Sequence, residues 1–192
     1  MAILSTGDEI VDLRGDQKAP TESWGGIWDT NRPSLQTALE GLGYRVLDLG
    51  IARDTFAFTR CLLSPFLILV PSSSVQDHVS KIQEGLDSAD LILTTGGTSM
   101  GPTDLAKPVI ERNFQGTIHF GRVKMKPGKP TTFATIPNKK AAGGGQTPIF
   151  ALPGNPASAL VTFYLLVLPA LRKLGGWKPD RCQLPRIRVQ VL

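Results

Sequence analysis

The strand-forming runs of this chain are apolar on nearly every residue, and helical patterns separate them. A strand that alternates apolar and polar residues keeps one face in water. A continuously apolar strand is covered on both faces, as in a parallel sheet between helical layers. Ala2 to Ser5 reads as a first strand running into the turn Thr6-Gly7-Asp8. Asp29 or Thr30 can cap a helix ending near Gly41 or Gly43, and Tyr44 to Leu49 returns as a strand stopped by Gly50. Asp90 to Thr95 is a third strand, running into Gly96-Gly97. Thr103 to Asn113 then has helical spacing, with Leu105, Val109 and Ile110 on one face.

Thr117 to Val123 and Thr131 to Ile136 flank Lys124 to Pro130, and Ile149 to Leu152 is a short buried strand. Asn155 to Leu174 follows as a long apolar helix of the buried kind, which Pro169 should kink and Gly175-Gly176 should close. The expected fold is α/β, a three-layer α/β/α domain around a mostly parallel sheet over residues 1–177. Residues 178–192 are expected to form a linker, Pro179 to Pro185, and the first strand of a C-terminal β unit, the alternating Arg186 to Leu192.

The 192 residues suffice to bury a core without disulfides or a structural metal. Cys61 and Cys182 lie far apart and outside any CxxC pattern, which fits a cytoplasmic chain better than a secreted one. No signal peptide opens the chain, and the run Leu62 to Val70 is too short for a membrane helix, so no membrane insertion is expected. A net charge of +5 favours anionic partners without naming one.

Chemistry concentrates at the strand-to-helix turns. Thr94 to Gly101 places glycines and the Thr98 and Ser99 hydroxyls at the carboxyl end of a strand, where open α/β sheets bind ligands. Gly96 and Gly97 allow the backbone to approach a phosphate, although Gly-Gly is also simply a good turn. Asp104 reads either as a capping acid or as a Mg²⁺ ligand beside a phosphate, and Lys107 as its ion-pair partner or a ligand group. Lys124, Lys126 and Lys129 occupy one turn stiffened by Pro127 and Pro130, with Arg122 just before it. That suits a compact oxyanion. No aromatic residue interleaves to stack a base, which argues against nucleic acid. In Leu152 to Ser158, Asn155 suits an N-cap and Pro156 a first helical position, leaving the Ser158 hydroxyl available. His78 and His119 lack zinc spacing and read as structural or surface residues.

Taken in order, several segments closely resemble the molybdenum insertase family, which includes the bacterial molybdopterin molybdenumtransferases, the plant insertase domain and the gephyrin E domain. They are Ile3 to Glu9, Asp29 to Arg32, Thr95 to Gly101 with Asp104 and Lys107, Met125 to Pro130, and Leu152 to Ser158, and they extend over about nine tenths of the chain. The resemblance implies Mg²⁺-dependent insertion of molybdate into adenylylated molybdopterin with release of AMP. It further implies that Ser99, Lys126, Lys129 and Ser158 hold molybdate, that Asp104 acts at nucleotide and metal, and that Asp29, Asn31 and Arg32 lie near the cleft. Family members are longer, dimeric, and complete the site with other subdomains and the partner subunit. The resemblance therefore implies a homo-oligomer in which these residues hold only part of the catalytic site. The molybdopterin adenylyltransferases share the fold and are the alternative enzyme. A gephyrin-like scaffold is the alternative of a different class.

The block Phe56 to Ser74 has no clean period and no counterpart in the family pattern. Without it, Asp54 or Thr55 would cap the helix-like Val75 to Leu86, giving an ordinary strand, turn and helix. It reads either as an insertion that loops out or as an extra buried strand at Phe66 to Val70. Limited proteolysis separates the two: an insertion is cut rapidly within 56–74, whereas complete protection of that segment supports the buried strand.

Overall fold

In the computed structural model, which describes residues 1–13, 26–54, 73–98, 105–141 and 145–190, β1 (Ala2–Thr6) is buried along its whole length. Its side chains divide between two cores. Ala2 and Leu4 pack with Ile82, Leu86, Val109 and Ile110 on one side of the sheet. Ile3 packs with Leu35, Leu39, Phe163, Val167 and Leu171 on the other. Strand alternation thus places successive apolar residues in opposite layers, as the three-layer expectation requires.

Two short parallel strands follow β1, β2 (Ile10–Val11) and β3 (Ile27–Trp28), which among the described residues pair only with each other. Then come α1 (Asn31–Gly41), β4 (Leu47–Ala52), α2 (Ser73–Ser88) and β5 (Ile92–Thr95). A short helix α3 (Ala106–Pro108) widens into a π-turn over Val109–Asn113 and leads to β6 (Thr117–Phe120), β7 (Thr132–Pro137) and β8 (Gln146–Leu152). The main sheet has six strands in the order β4-β1-β5-β8-β7-β6. β4, β1, β5 and β8 are parallel, while β7 and β6 run antiparallel at one edge.

Gly50 does not stop its strand. β4 starts later than the composition suggests and continues through Gly50, whose φ of 75° makes room for an extra residue opposite β1. Ile3 pairs with Asp48 and Ser5 with Ile51, so β4 advances three residues while β1 advances two. The glycine builds a bulge, with its N–H donating to the Asp48 carboxylate at 2.8 Å.

The long helix is continuous but not regular. It comprises α4 (Pro156–Thr162), a π-turn over Phe163–Val167, and α5 (Leu168–Leu174). Pro169 has no N–H to donate and its ring crowds the carbonyl four residues back, and the widening falls immediately before it. Nor is the helix buried all round. Ala159, Phe163, Val167, Leu168 and Leu171 face the core, whereas Leu160, Tyr164 and Leu165 are exposed because the sheet lies under one side only. By length and apolarity this helix could cross a membrane, but it packs here as the outer layer of the sheet.

Two further expectations change. A short helix, α6 (Pro179–Cys182), occupies part of the expected linker, with Cys182 buried. The expected strand beginning at Arg186 has no strand structure over residues 186–190, and Ile187 and Val189 are 83% and 73% exposed. An alternating pattern makes a strand only where a neighbour takes up its backbone groups.

Most of the 56–74 block lies outside the described residues; its last two, Ser73 and Ser74, open α2. Its flanks do meet. The Arg53 N–H donates to the Asp77 carboxylate at 3.1 Å, and Asp54 Oδ1 lies 3.2 Å from His78 Nε2.

Phe163 is fully buried, so Phe163→Ala should lower unfolding free energy by about 3–5 kcal/mol. The exposed neighbour Tyr164→Ala should cost about 1 kcal/mol or less. Urea titration of both variants checks the orientation of this helix, and equal losses would contradict it.

Candidate functional site

From β1 the chain moves outward to β4, then crosses back to β5 on the other side of β1. Connections therefore leave the carboxyl ends of β1 and β5 in opposite directions, and a crevice opens between them. The structure has a cleft of about 480 Å³ at this point. Ser5, Thr6, Thr95 and Gly96 line its base, β2 and β3 contribute Glu9, Ile10, Ile27 and Trp28, and Asp29 to Asn31 with Gly154 to Pro156 complete the wall.

The base is held by polar contacts between strand ends. The Ser5 and Thr95 hydroxyls lie 3.1 Å apart, the Thr6 hydroxyl donates to the Thr95 carbonyl at 3.3 Å, and the Gly96 N–H donates to the Leu152 carbonyl at 3.1 Å. A Cβ on Gly96 would lie 2.3 Å from the Thr6 carbonyl oxygen, and φ is 87°. Only glycine fits there. Thr98 is buried, and its hydroxyl donates to the Leu152 carbonyl at 3.4 Å. It closes the corner rather than facing the cleft as a free donor.

Asn31 joins two walls, its amide donating to the Gly154 carbonyl at 2.8 Å. Asn155 is the N-cap of α4, as expected, accepting from the Ser158 N–H at 3.2 Å and the Ser158 hydroxyl at 3.4 Å. The Ser158 hydroxyl thus already takes part in capping.

Arg32, expected near the cleft with Asp29 and Asn31, is buried behind its wall. Its side chain is 4% exposed and meets three carboxylates: Asp29 through Nε at 2.9 Å, Asp12 through Nη2 at 2.8 Å and Asp48 through Nη1 at 2.5 Å. Asp29 also accepts from the Arg32 backbone N–H at 3.1 Å, so it, and not Thr30, provides the side-chain acceptor at the start of α1. Burial alone would lower the arginine pKa, but hydrogen bonds to Asp48, Asp12 and Asp29 outweigh it and raise the value above the ordinary range. The guanidinium is fully engaged in shaping the cleft and offers no free fork to an anion.

The lysine turn sits beside the cleft and outside it. β7 begins opposite the end of β8, so the turn between β6 and β7 lies at the same edge of the sheet as the cleft. Val123, Lys124, Met125, Lys126 and Lys129 line a separate depression of about 310 Å³. Gly128 is buried against α4, where a Cβ would come within 2.3 Å of the Thr162 methyl group. Thr162 in turn donates to the Ser158 carbonyl at 2.8 Å, so one helical turn links Ser158 to the lysine turn. Lys107 anchors the turn's other side, donating to the Gly121 carbonyl at 3.3 Å.

Ser99 and Asp104 lie outside the described residues, and so do both readings of Asp104 with Lys107, the ion pair and the ligand role. Among the described residues no group of three or more His, Cys, Asp or Glu side chains is placed to hold a metal ion. Among the cleft residues, Ser5, Thr6, Glu9 and Trp28 had been given no site role from the sequence, although the first three lie in the segment Ile3 to Glu9. The first two were within reach, because they end the first parallel strand, where such sheets bind ligands. Glu9 and Trp28 come together only through the pairing of β2 and β3, which two-residue strands do not announce.

The model of a family described as a probable molybdopterin binding domain matches residues 69–173. The chain is 38% identical to gephyrin of Dictyostelium discoideum, covering all of this chain and 26% of that protein. It is 35% identical to the molybdenum cofactor synthesis protein cinnamon of Drosophila melanogaster, covering all of this chain and 26% of that protein. Against the molybdopterin molybdenumtransferase of Haemophilus influenzae the identity is 37%, over 93% of this chain and 36% of the relative. The chain spans between a quarter and about a third of the length of these relatives. Among solved structures, the molybdopterin biosynthesis moeA protein of Pyrococcus horikoshii superposes with a TM-score of 0.60 at 19% identity, over 92% of this chain and 34% of that one. The tungsten cofactor synthesizing protein MoaB of Pyrococcus furiosus gives 0.56 at 14% identity, over 91% and 94%. These likenesses show the fold.

Replacing Arg32 with Met would leave Asp29, itself 2% exposed, without its partner. The expected loss is about 3–5 kcal/mol of folding stability. Because folding raises the Arg32 pKa, its contribution is fully present below the ordinary arginine range and is lost only in strong alkali. Denaturant titration should therefore give the same loss at about pH 6 and about pH 9.

Proposed function

The chain belongs to the family of probable molybdopterin binding domains, and from that membership we propose that it binds molybdopterin for a molybdotransferase reaction. In this reading the protein to which it belongs serves molybdenum cofactor biosynthesis by inserting molybdate into adenylylated molybdopterin, with release of AMP. The observation that carries the proposal is the placement at one sheet edge of a walled cleft at the strand-order reversal and a rigid turn of three lysines beside it. A ligand with a flat ring at one end and anionic groups at the other matches such a pair of neighbouring sites.

In this reading the residues divide the work. Gly96 and Gly97 let the backbone come close to the ligand, while Asn31 and Asn155 hold the two wall segments around it. Lys126 and Lys129, both exposed, supply positive charge and several N–H donors for molybdate. Ser158 stands between the two sites on α4, and its hydroxyl can turn from Asn155 towards the oxyanion. Asp29 and Arg32 fix the shape of the wall. Asp104 would hold Mg²⁺ in this reading, and among the described residues no group of three or more His, Cys, Asp or Glu side chains is placed to hold it. A homo-oligomeric, cytoplasmic protein belongs to the same proposal, as does completion of the site by residues beyond this chain.

The test uses the whole protein, adenylylated molybdopterin and molybdate, with AMP release as readout. Lys126→Ala and Lys129→Ala together should raise the molybdate concentration needed for half-maximal rate about tenfold or more, since each removes charge-assisted hydrogen bonds. An unchanged dependence removes this turn from the molybdate site. Asp104→Ala should abolish Mg²⁺-dependent turnover while circular dichroism stays unaltered, and undiminished turnover excludes it. Transfer of AMP from ATP to free molybdopterin by the unaltered protein would favour the adenylyltransferase alternative.

A further inference from the structure

The rim built by β2 and β3 brings together two side chains that the roles above leave unused. Trp28 lines the cleft yet keeps 39% of its surface exposed, and Ile27 beside it is 55% exposed. Large apolar groups facing concave space are poorly hydrated and suit a flat apolar ligand face. Glu9 lies on the same rim, because its backbone carbonyl accepts from the Ile27 N–H at 2.7 Å. Glu9 lines the cleft too, and among the described residues its carboxylate has no hydrogen bond or ion pair, whereas both oxygens of Asp29, the other acidic residue lining the cleft, accept from Arg32. The Ser5 and Thr95 hydroxyls are paired with each other at the base.

We infer that Trp28 and Glu9 recognise the pterin ring of molybdopterin, an inference that rests on the molybdopterin reading of this cleft. Trp28 stacks on the flat bicycle, and Glu9 accepts two hydrogen bonds from the edge that carries the 2-amino group and the ring N3–H. Those two donors lie side by side, like the two N–H groups of a guanidinium, and an ionised carboxylate accepts both. Phosphate and molybdate offer no such donors and are repelled by the same charge. Glu9 therefore sets the ligand's direction: the heterocycle lies at the β2–β3 rim, and the anionic end points towards Asn155 and the lysine turn.

The experiment is calorimetric titration of the full chain with molybdopterin, and separately with unsubstituted pterin, which lacks phosphate and dithiolene. Both side chains are at least partly exposed, and melting curves of the variants confirm that they fold. Glu9→Gln, which puts a donor where an acceptor is needed, should weaken binding of both ligands about tenfold or more. Trp28→Leu should do the same by loss of stacking, while Trp28→Phe, which keeps an aromatic face, should stay within about threefold of the unaltered chain. If the chain binds molybdopterin and neither Glu9→Gln nor Trp28→Leu weakens it, the inference is overturned and the proposed function stands. If the folded chain binds no molybdopterin, both fall.

Discussion

A guanidinium shut away from water stays charged, so its burial is tolerated only when acceptors compensate the lost hydration, and the shape of the cleft follows from how Arg32 meets that condition. Its partners come from three places: Asp12 after β2, Asp29 before α1 and Asp48 in β4. Satisfying one side chain therefore fixes the position of the rim, the first helix and a strand together. A buried ion cluster of this kind contributes less to net stability than its short contacts suggest, because each charge gave up its hydration. Its effect is specificity, since any other placement of these segments would leave a buried charge uncompensated.

This arrangement explains which parts of the molecule could be read in advance. Strand and helix order depends on local pattern, and Ile3, Leu4, Leu93, Leu152 and Phe163 are all core residues as their surroundings indicate. What failed were the places where one residue type admits two outcomes. Gly50 could end a strand or widen it into a bulge, and the choice belongs to the register with β1. Arg186 to Gln190 alternates like a strand, but pairing needs a neighbour that no local pattern reveals. The ion cluster of Arg32 was beyond reach for another reason, since a lone arginine in sequence says nothing about three aspartates meeting it in the fold. At the site, the glycine corner and the Asn155 cap were legible because backbone geometry demands those residues. The wall carrying Glu9 and Trp28 was not, because it arises from strands only two residues long.

The two neighbouring sites also have contrasting electrostatic character. The cleft contains carboxylates, hydroxyls and exposed apolar side chains, whereas the adjoining depression contains three lysines and hardly anything else that is polar. An anion entering this edge is drawn to the lysine side and excluded from the acidic rim. The first turn of α4 lies between them, with its Asn155 cap serving one and the Ser158 to Thr162 ladder supporting the other. Neither site can shift without moving that helix, and Phe163 and Val167 anchor it in the core.

The contacts between Arg53 and Asp77, and between Asp54 and His78, hold the end of β4 against the first turns of α2. These anchors lie on the frame of the domain, so whatever chain runs between them begins and ends at the same points. For a flexible connection between fixed ends, closure entropy grows only with the logarithm of length, and each doubling costs about 0.6 kcal/mol. The junction shares the carboxyl edge of the sheet with the cleft, where Arg53 Nη1 donates to the Asp8 and Ile10 carbonyls, so a longer connection can be accommodated here while these contacts keep the β4 end and the start of the rim in place. The junction works as a seam in the fold, where evolution can lengthen the chain at little energetic expense.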